Sequence, residues 1–277
     1  MEENQNFDIN KMLEAIYDVL KGQCKEEGKL GLLFVFSKNV PRDLRGDKEA
    51  IASILFHALQ YVLEKNCGMP LVLSVDAPED FIHKEPVTFK MTNLPFKEEE
   101  ILPQLQKMLA KELEATEASL CYTEKSGGSI EITMPLLTEL GKRRYYRLPS
   151  KEILDKKILL VIQKSIDALS LVKMFKYFPM QVDLSIKTLH EERYRLEEYD
   201  LLVLDEMLYD TPHMKDLIAQ AQRNSDLVVV LYGEGELCSE ESENVSEEEY
   251  DAVPCRYYLK KPVTQERIYD LLSSFFR

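Results

Sequence analysis

The sequence predicts an α/β protein of two domains. The first is an α/β sandwich of mixed helices and strands, and the second is a doubly wound, five-stranded parallel domain. Three observations carry this reading. At 277 residues the chain exceeds the roughly 150 residues typical of one domain. From residue 156 onward, short continuously apolar segments alternate with helical ones, as expected for a parallel sheet buried on both faces. Between the halves, TELGKRRYYRLPSKEILD (138–155) breaks the apolar pattern with a Gly, a Pro and a cluster of bases, the marks of a linker. The expected division is therefore 1–137, a linker at 138–155, and 156–277.

Each element follows from its own spacing. Phe7–Leu20 carries Ile9, Met12, Leu13, Ile16, Val19 and Leu20 at helical intervals, predicting an amphipathic helix. LGLLFVFS (30–37) reads as a strand and PRDLRGD (41–47) as a turn. Lys48–Glu64 repeats the helical pattern through Ile51, Ile54, Leu55, Ala58, Leu59 and Val62. LVLSVD (71–76) and VTFKMT (87–92) are short strands, and Glu98–Ala115 is a charged helix. LCYTEK and SIEITMP form a hairpin in which Gly127 and Gly128 supply the positive φ of a tight turn. In the second half KILLVI, VDLSIKT, YDLLVLD, LVVVLY and RYYLKKP are the strands. Helices are expected at about 166–177, between VDLSIKT and YDLLVLD, at about 211–224, and over TQERIYDLLSSFF. In such a fold, sites lie at the carboxyl ends of the strands.

Composition excludes several classes of function. The 35 bases and 49 acids leave a net charge of −14, which argues against a nucleic-acid surface. MEENQNFDIN is polar and acidic, unlike a signal or transit peptide. ILLVI (158–162) and LVVVL (227–231) are too short to cross a bilayer. Cys24, Cys67, Cys121, Cys238 and Cys255 form no CxxC or metal-ligand spacing and read as reduced thiols, implying a cytoplasmic protein. No GxSxG, HExxH, P-loop or well-placed GxGxxG is present, so an ordinary hydrolase or transferase finds no support. Asp205 and Glu206 are adjacent, and neighbouring strand residues point to opposite faces, so they make no acid–base pair. Met174, Phe175, Tyr177 and Phe178 read as core. Tyr257 and Tyr258 read as a strand with one ring inward and one exposed.

KILLVIQKS, YDLLVLDEM, LVVVLYG and YLKKPVTQERI fall in the order of a response-regulator receiver domain, a flavodoxin-like fold, and residues 156–277 resemble one. The resemblance implies that Asp205, ending the third strand, is the candidate phosphoacceptor. It also implies that Lys261, which follows by 56 positions and precedes a proline, is the lysine that pairs with the acyl phosphate. An acidic pair that would hold Mg²⁺ is replaced by Ile162 and Gln163, and the small hydroxyl residue by Tyr232. Two readings stay open at that point. Asp205 and Lys261 persist as a buried ion pair, or Asp205 is still phosphorylated. Tyr232, lying inward, would lock one conformation. Residues 234–251 hold nine acids and no Lys or Arg, and read either as a rebuilt partner surface or as a solvated insertion.

Residues 7–137 resemble the ATP-binding domain of histidine kinases, in particular hybrid kinases. The carriers are FDINKMLEAIYDVL, LGLLFVF, VPRDLRGD, IASILFHALQYVLEKN and SGGSIEITMPLL. The resemblance also shows what is missing. The Mg²⁺-coordinating Asn falls on Tyr61, and the DxGxG turn falls on MTNLPF (91–96), around Thr92, with neither Asp nor Gly. No glycine lies between Phe96 and Leu120 to build a phosphate lid. Only six residues precede Phe7, so no phosphotransfer hairpin is expected. His57, His83, His190 and His213 read as structural or exposed. The basic cluster Lys142, Arg143, Arg144, Arg147 and Lys151 reads as a solvated linker face.

Together these features imply a non-catalytic two-component (phosphorelay) protein, a pseudo-kinase domain joined to a pseudo-receiver, with no cofactor and no metal. The alternative is a working receiver phosphorylated on Asp205 by a histidine kinase or phosphotransfer protein. The expected partners are proteins: a histidine kinase, a phosphotransfer protein or a response regulator. A weak homodimer through the second domain is compatible with this, whereas nucleic acid and membrane are not expected partners.

Overall fold

The computed structural model describes residues 5–24, 30–66, 69–79, 83–124, 127–138, 151–190, 193–209, 211–235 and 257–276. Lys142, Arg143, Arg144 and Arg147, the acidic stretch from 236, and Cys67, Cys238 and Cys255 lie outside them. The chain forms two compact units, one of residues 1–147 together with 264–266 and one of residues 148–263 together with 267–277.

The first unit is built on a seven-stranded mixed sheet. Its strands are β1 (Gln5–Asp8), β2 (Leu32–Phe36), β3 (Asp43–Gly46), β4 (Leu71–Asp76), β5 (Lys84–Thr92), β6 (Ser119–Thr123) and β7 (Ser129–Leu137). They are ordered β1-β3-β7-β5-β4-β2, with β6 also paired to β7. Only β2 and β4 run parallel. Along β5 and β7 side chains alternate between buried and half-exposed, which gives the sheet one apolar and one solvated face. The helices are α1 (Ile9–Gln23), α2 (Lys48–Lys65) and α3 (Glu98–Ala115). Their buried stripes, such as Ile101, Leu105 and Leu109 of α3, recur at helical spacing.

Three local expectations change. Residues expected to begin the first helix, Phe7 and Asp8, belong to β1, and the helix starts at Ile9. Asp8 is its N-cap, accepting the N–H of Asn10 at 2.9 Å, which fixes extended backbone just before the first turn. The expected turn PRDLRGD contains β3, antiparallel to β1. Val19 sits at the margin of the α1 stripe and is 52% exposed. Gly127 and Gly128 do carry positive φ, 91° and 77°. A Cβ on Gly128 would stand 2.6 Å from the Tyr122 hydroxyl oxygen.

The second unit has five parallel strands: β8 (Lys157–Ile162), β9 (Gln181–Ile186), β10 (Leu201–Asp205), β11 (Val228–Gly233) and β12 (Tyr257–Lys260). Their order is β12-β11-β10-β8-β9, the flavodoxin-like arrangement whose switch point lies between the first and third strands. The helices are α4 (Ser165–Phe175), the single turn α5 (Glu206–Tyr209), α6 (Pro212–Asn224) and α7 (Gln265–Phe275). Where a helix was expected between β9 and β10, the described residues show only a 3₁₀ turn at Leu196–Glu198. Leu189, Tyr194, Leu196 and Tyr199 nevertheless bury into the core beside Leu202 and Leu204. Their spacing fits no single helical face, so this crossover covers the sheet as an irregular segment.

Candidate functional site

In the second unit the sheet register assembles the site. Asp205 is the last residue of β10 and lies beside Tyr232 of β11. Tyr232 in turn lies beside Leu259 of β12, with Lys261 two residues further on. Since side chains alternate along strands, Asp205, Tyr232 and Lys261 share one face at the carboxyl ends, next to the switch point. This is where a doubly wound sheet places its ligands.

The partners on that face are not those expected. Lys261 Nζ pairs with Asp167 Oδ2 at 3.0 Å, rather than forming the expected Asp205–Lys261 ion pair. Asp167 lies in the first turn of α4 and is 3% exposed. The same oxygen accepts the Tyr232 hydroxyl at 2.8 Å, and Lys261 Nζ sits 5.0 Å from the Tyr232 ring centroid. A buried carboxylate is stable only when charge and hydrogen bonds compensate it, and the ammonium and phenol supply both. Tyr232 is 2% exposed, with its ring directed inward.

Asp205 has a separate set of partners. Its Oδ2 accepts the N–H of Gln163 at 3.1 Å and its Oδ1 the N–H of Met207 at 3.2 Å. The carboxylate is thus satisfied by backbone, and the residue is 8% exposed. Ile162 is fully buried and apolar, while the Gln163 side chain is exposed. Mg²⁺ needs a near-octahedral set of oxygens, and a hydrocarbon at Ile162 offers none. The residues present do not fit that ion. Among the described residues no three His, Cys, Asp or Glu come together as metal donors.

Asp167 was missed because its partners lie 65 and 94 positions away. A local signal did exist. Asp167, Leu171, Met174 and Phe175 form one buried helical stripe, and an acid on an apolar stripe implies a buried partner.

In the first unit the positions implied for a nucleotide serve other contacts. Tyr61, on α2, donates its hydroxyl to Gln104 Oε1 of α3. Lys65 Nζ lies 4.9 Å from the Tyr61 ring centroid and donates to the Glu100 carbonyl at 3.3 Å. On the other side Gln60 bonds Gln23 of α1 at 3.3 Å. His57 is held by Ser53 at 3.2 Å, and His83, His190 and His213 are exposed. Thr92 ends β5 between Val72 and Ser129. The turn after it is shaped by Asn93, at φ 70°, whose amide donates to the Pro70 carbonyl at 2.6 Å, and by Tyr122 donating to the Phe96 carbonyl. An aromatic bridge at Tyr61 in place of an oxygen ligand does not fit a Mg²⁺–nucleotide complex.

No family model matches the chain, and no curated protein matches it. Among solved structures, 99% of the chain superposes on full-length ShkA, crystallised with AMPPNP, at 10% identity and a TM-score of 0.66. The chain spans 57% of ShkA. Partial matches include the histidine kinase domain of the E. coli osmosensor EnvZ, at 7% identity over 53% of this chain and 97% of that one, with a TM-score of 0.38. Another is the ATP-binding domain of PrrB from Mycobacterium tuberculosis, at 12% identity over 48% and 98%, with a TM-score of 0.35. At such identities the likeness is one of fold. The fold is histidine-kinase-like, an ATPase-type α/β sandwich followed by a flavodoxin-like unit. No helix among the described residues is long and apolar enough to cross a membrane.

Proposed function

We propose that this chain is a non-catalytic two-component signalling protein acting through protein–protein contacts, with a pseudo-kinase unit joined to a pseudo-receiver unit. The observation that carries the reading is the pairing of Lys261 with Asp167 at 3.0 Å. The ammonium that would neutralise an acyl phosphate on Asp205 is already neutralised by the chain itself. Tyr232 donates its hydroxyl to the same carboxylate. In the first unit, Tyr61 spends its hydroxyl on a bridge between helices. Both arrangements favour a scaffold that presents surfaces to a histidine kinase, a phosphotransfer protein or a response regulator in the cytoplasm.

A second reading has one observation in its favour: Asp205 keeps its place at the end of β10, beside the switch point. Intact-protein mass after incubation with acetyl phosphate and Mg²⁺, with Asp205→Asn as control, separates the two. The first reading expects an unmodified mass for both proteins. A phosphoryl adduct on the wild type alone would establish a working receiver and overturn the first reading.

A further inference from the structure

The loop leaving β11 is closed by a carboxylate from the first residue of α5. Glu206 directly follows Asp205, and its side chain crosses to that loop. Its Oε1 accepts the N–H of Glu234 at 2.8 Å, and its Oε2 accepts the N–H of Gly235 at 3.2 Å. Gly235 has φ 82°, a left-handed conformation open to glycine. Successive N–H groups converging on one anion through such a turn form a nest. Gly233 belongs to the same device. A Cβ there would clash with the Glu206 carboxylate, so a side chain at 233 and a seated carboxylate exclude each other. The far side of the loop is anchored too, since the Gly233 carbonyl accepts the N–H of Lys261 at 2.9 Å.

We propose that Gly233–Gly235 is an oxyanion-binding nest whose resident ligand is Glu206, a latch that keeps the site plugged. Its ligand class is a carboxylate or phosphate oxyanion, because the two N–H donors accommodate the two oxygens of the resident carboxylate. Tethering gives Glu206 a high effective concentration, so free anions do not displace it in the resting protein. The site opens when the side chain is withdrawn. This goes beyond the pseudo-receiver reading and uses none of Asp167, Tyr232 or the Lys261 ammonium.

The test uses the full chain and amide ¹H–¹⁵N signals. In Glu206→Ala, inorganic phosphate and acetate should each shift the Glu234 and Gly235 amides saturably, at least about tenfold more tightly than in the wild type. The Val230 and Leu231 signals should stay in place as the control for fold. Gly233→Ala, with Glu206 intact, should expel the carboxylate and raise hydrogen exchange at Glu234 and Gly235 about tenfold. Amides that ignore both anions in Glu206→Ala, or respond equally in the wild type, would overturn the anion site. Unchanged exchange in Gly233→Ala would overturn the latch. The intact mass of Glu206→Ala stays unmodified throughout, so these results remain separate from phosphorylation of Asp205.

Discussion

The two units depart from their resemblances in different ways. In the first, Tyr61 stands on a half-exposed helix face and has become a bridge to Gln104. Its ring meets Lys65, and these are ordinary packing contacts. In the second, Lys261 sits at the end of a buried sheet and cannot be left alone, because an uncompensated buried charge is costly. Asp167 compensates it from α4. A polar side chain on a helix surface needs only such an ordinary contact. A charge at a buried strand end needs a counter-charge supplied by the fold.

The largest effect should come from breaking the buried cluster. Asp167→Ala removes the counter-ion of Lys261 and the acceptor of Tyr232, and should cost about 3–5 kcal/mol in urea unfolding. The double variant Asp167→Leu/Lys261→Met should recover most of that loss, since replacing both partners of a buried pair by apolar groups is often neutral. If the single variant were nearly neutral, Asp167 would not be the essential counter-charge. A nucleotide bound at a hundred times its Kd would stabilise the chain by about 2.7 kcal/mol, or several degrees in Tm. Mg-ATP should produce no such shift, and Tyr61→Asn alone should not create one, because the glycine-free segment after Phe96 is unchanged.

Smaller perturbations sharpen the contrast from the side of the first unit. Tyr61→Phe deletes a bond on an exposed helix face and should cost only about 0.5–1 kcal/mol in the same urea experiment, far below Asp167→Ala. Cys121 gives a chemical probe of the solvated sheet face. Burial, reinforced by the Glu131 charge and opposed by Lys90, holds its thiol above the ordinary pKa. The thiolate is the reactive form, so Glu131→Gln should lower the pKa and speed alkylation near neutral pH by roughly two- to threefold. A slower reaction in that variant would reverse the assigned sign.

Much of the fold was legible because long elements carry their period openly. The buried face of α2 and the five apolar strands of the second unit follow from side-chain spacing. The short pieces were not legible. QNFD and DLRG are four-residue strands with too few alternations to reveal a face, and they exist because they pair with each other and DLRG also pairs with β7. The crossover KTLHEERYRLEE has the composition of a helix, yet its buried residues sit at irregular intervals and only the assembled sheet selects them. At the site, Asp205, Tyr232 and Lys261 were identified from the resemblance. Asp167 could be found only as an acid out of place on an apolar stripe, and the nest at Gly233–Gly235 depends on a backbone turn that no residue type announces.

The registry of β7 has a consequence for how the chain is assembled in time. Its nine residues match all nine of β5, and it also joins β6 and β3. Contacts such as Thr88 with Thr133 close across 45 positions, and closing loops of that size before any contact rewards them is slow. The central sheet of the first unit therefore waits for the last of its strands to be synthesised. Since β7 precedes every strand of the second unit, all seven strands of the first sheet are available before the parallel sheet is made.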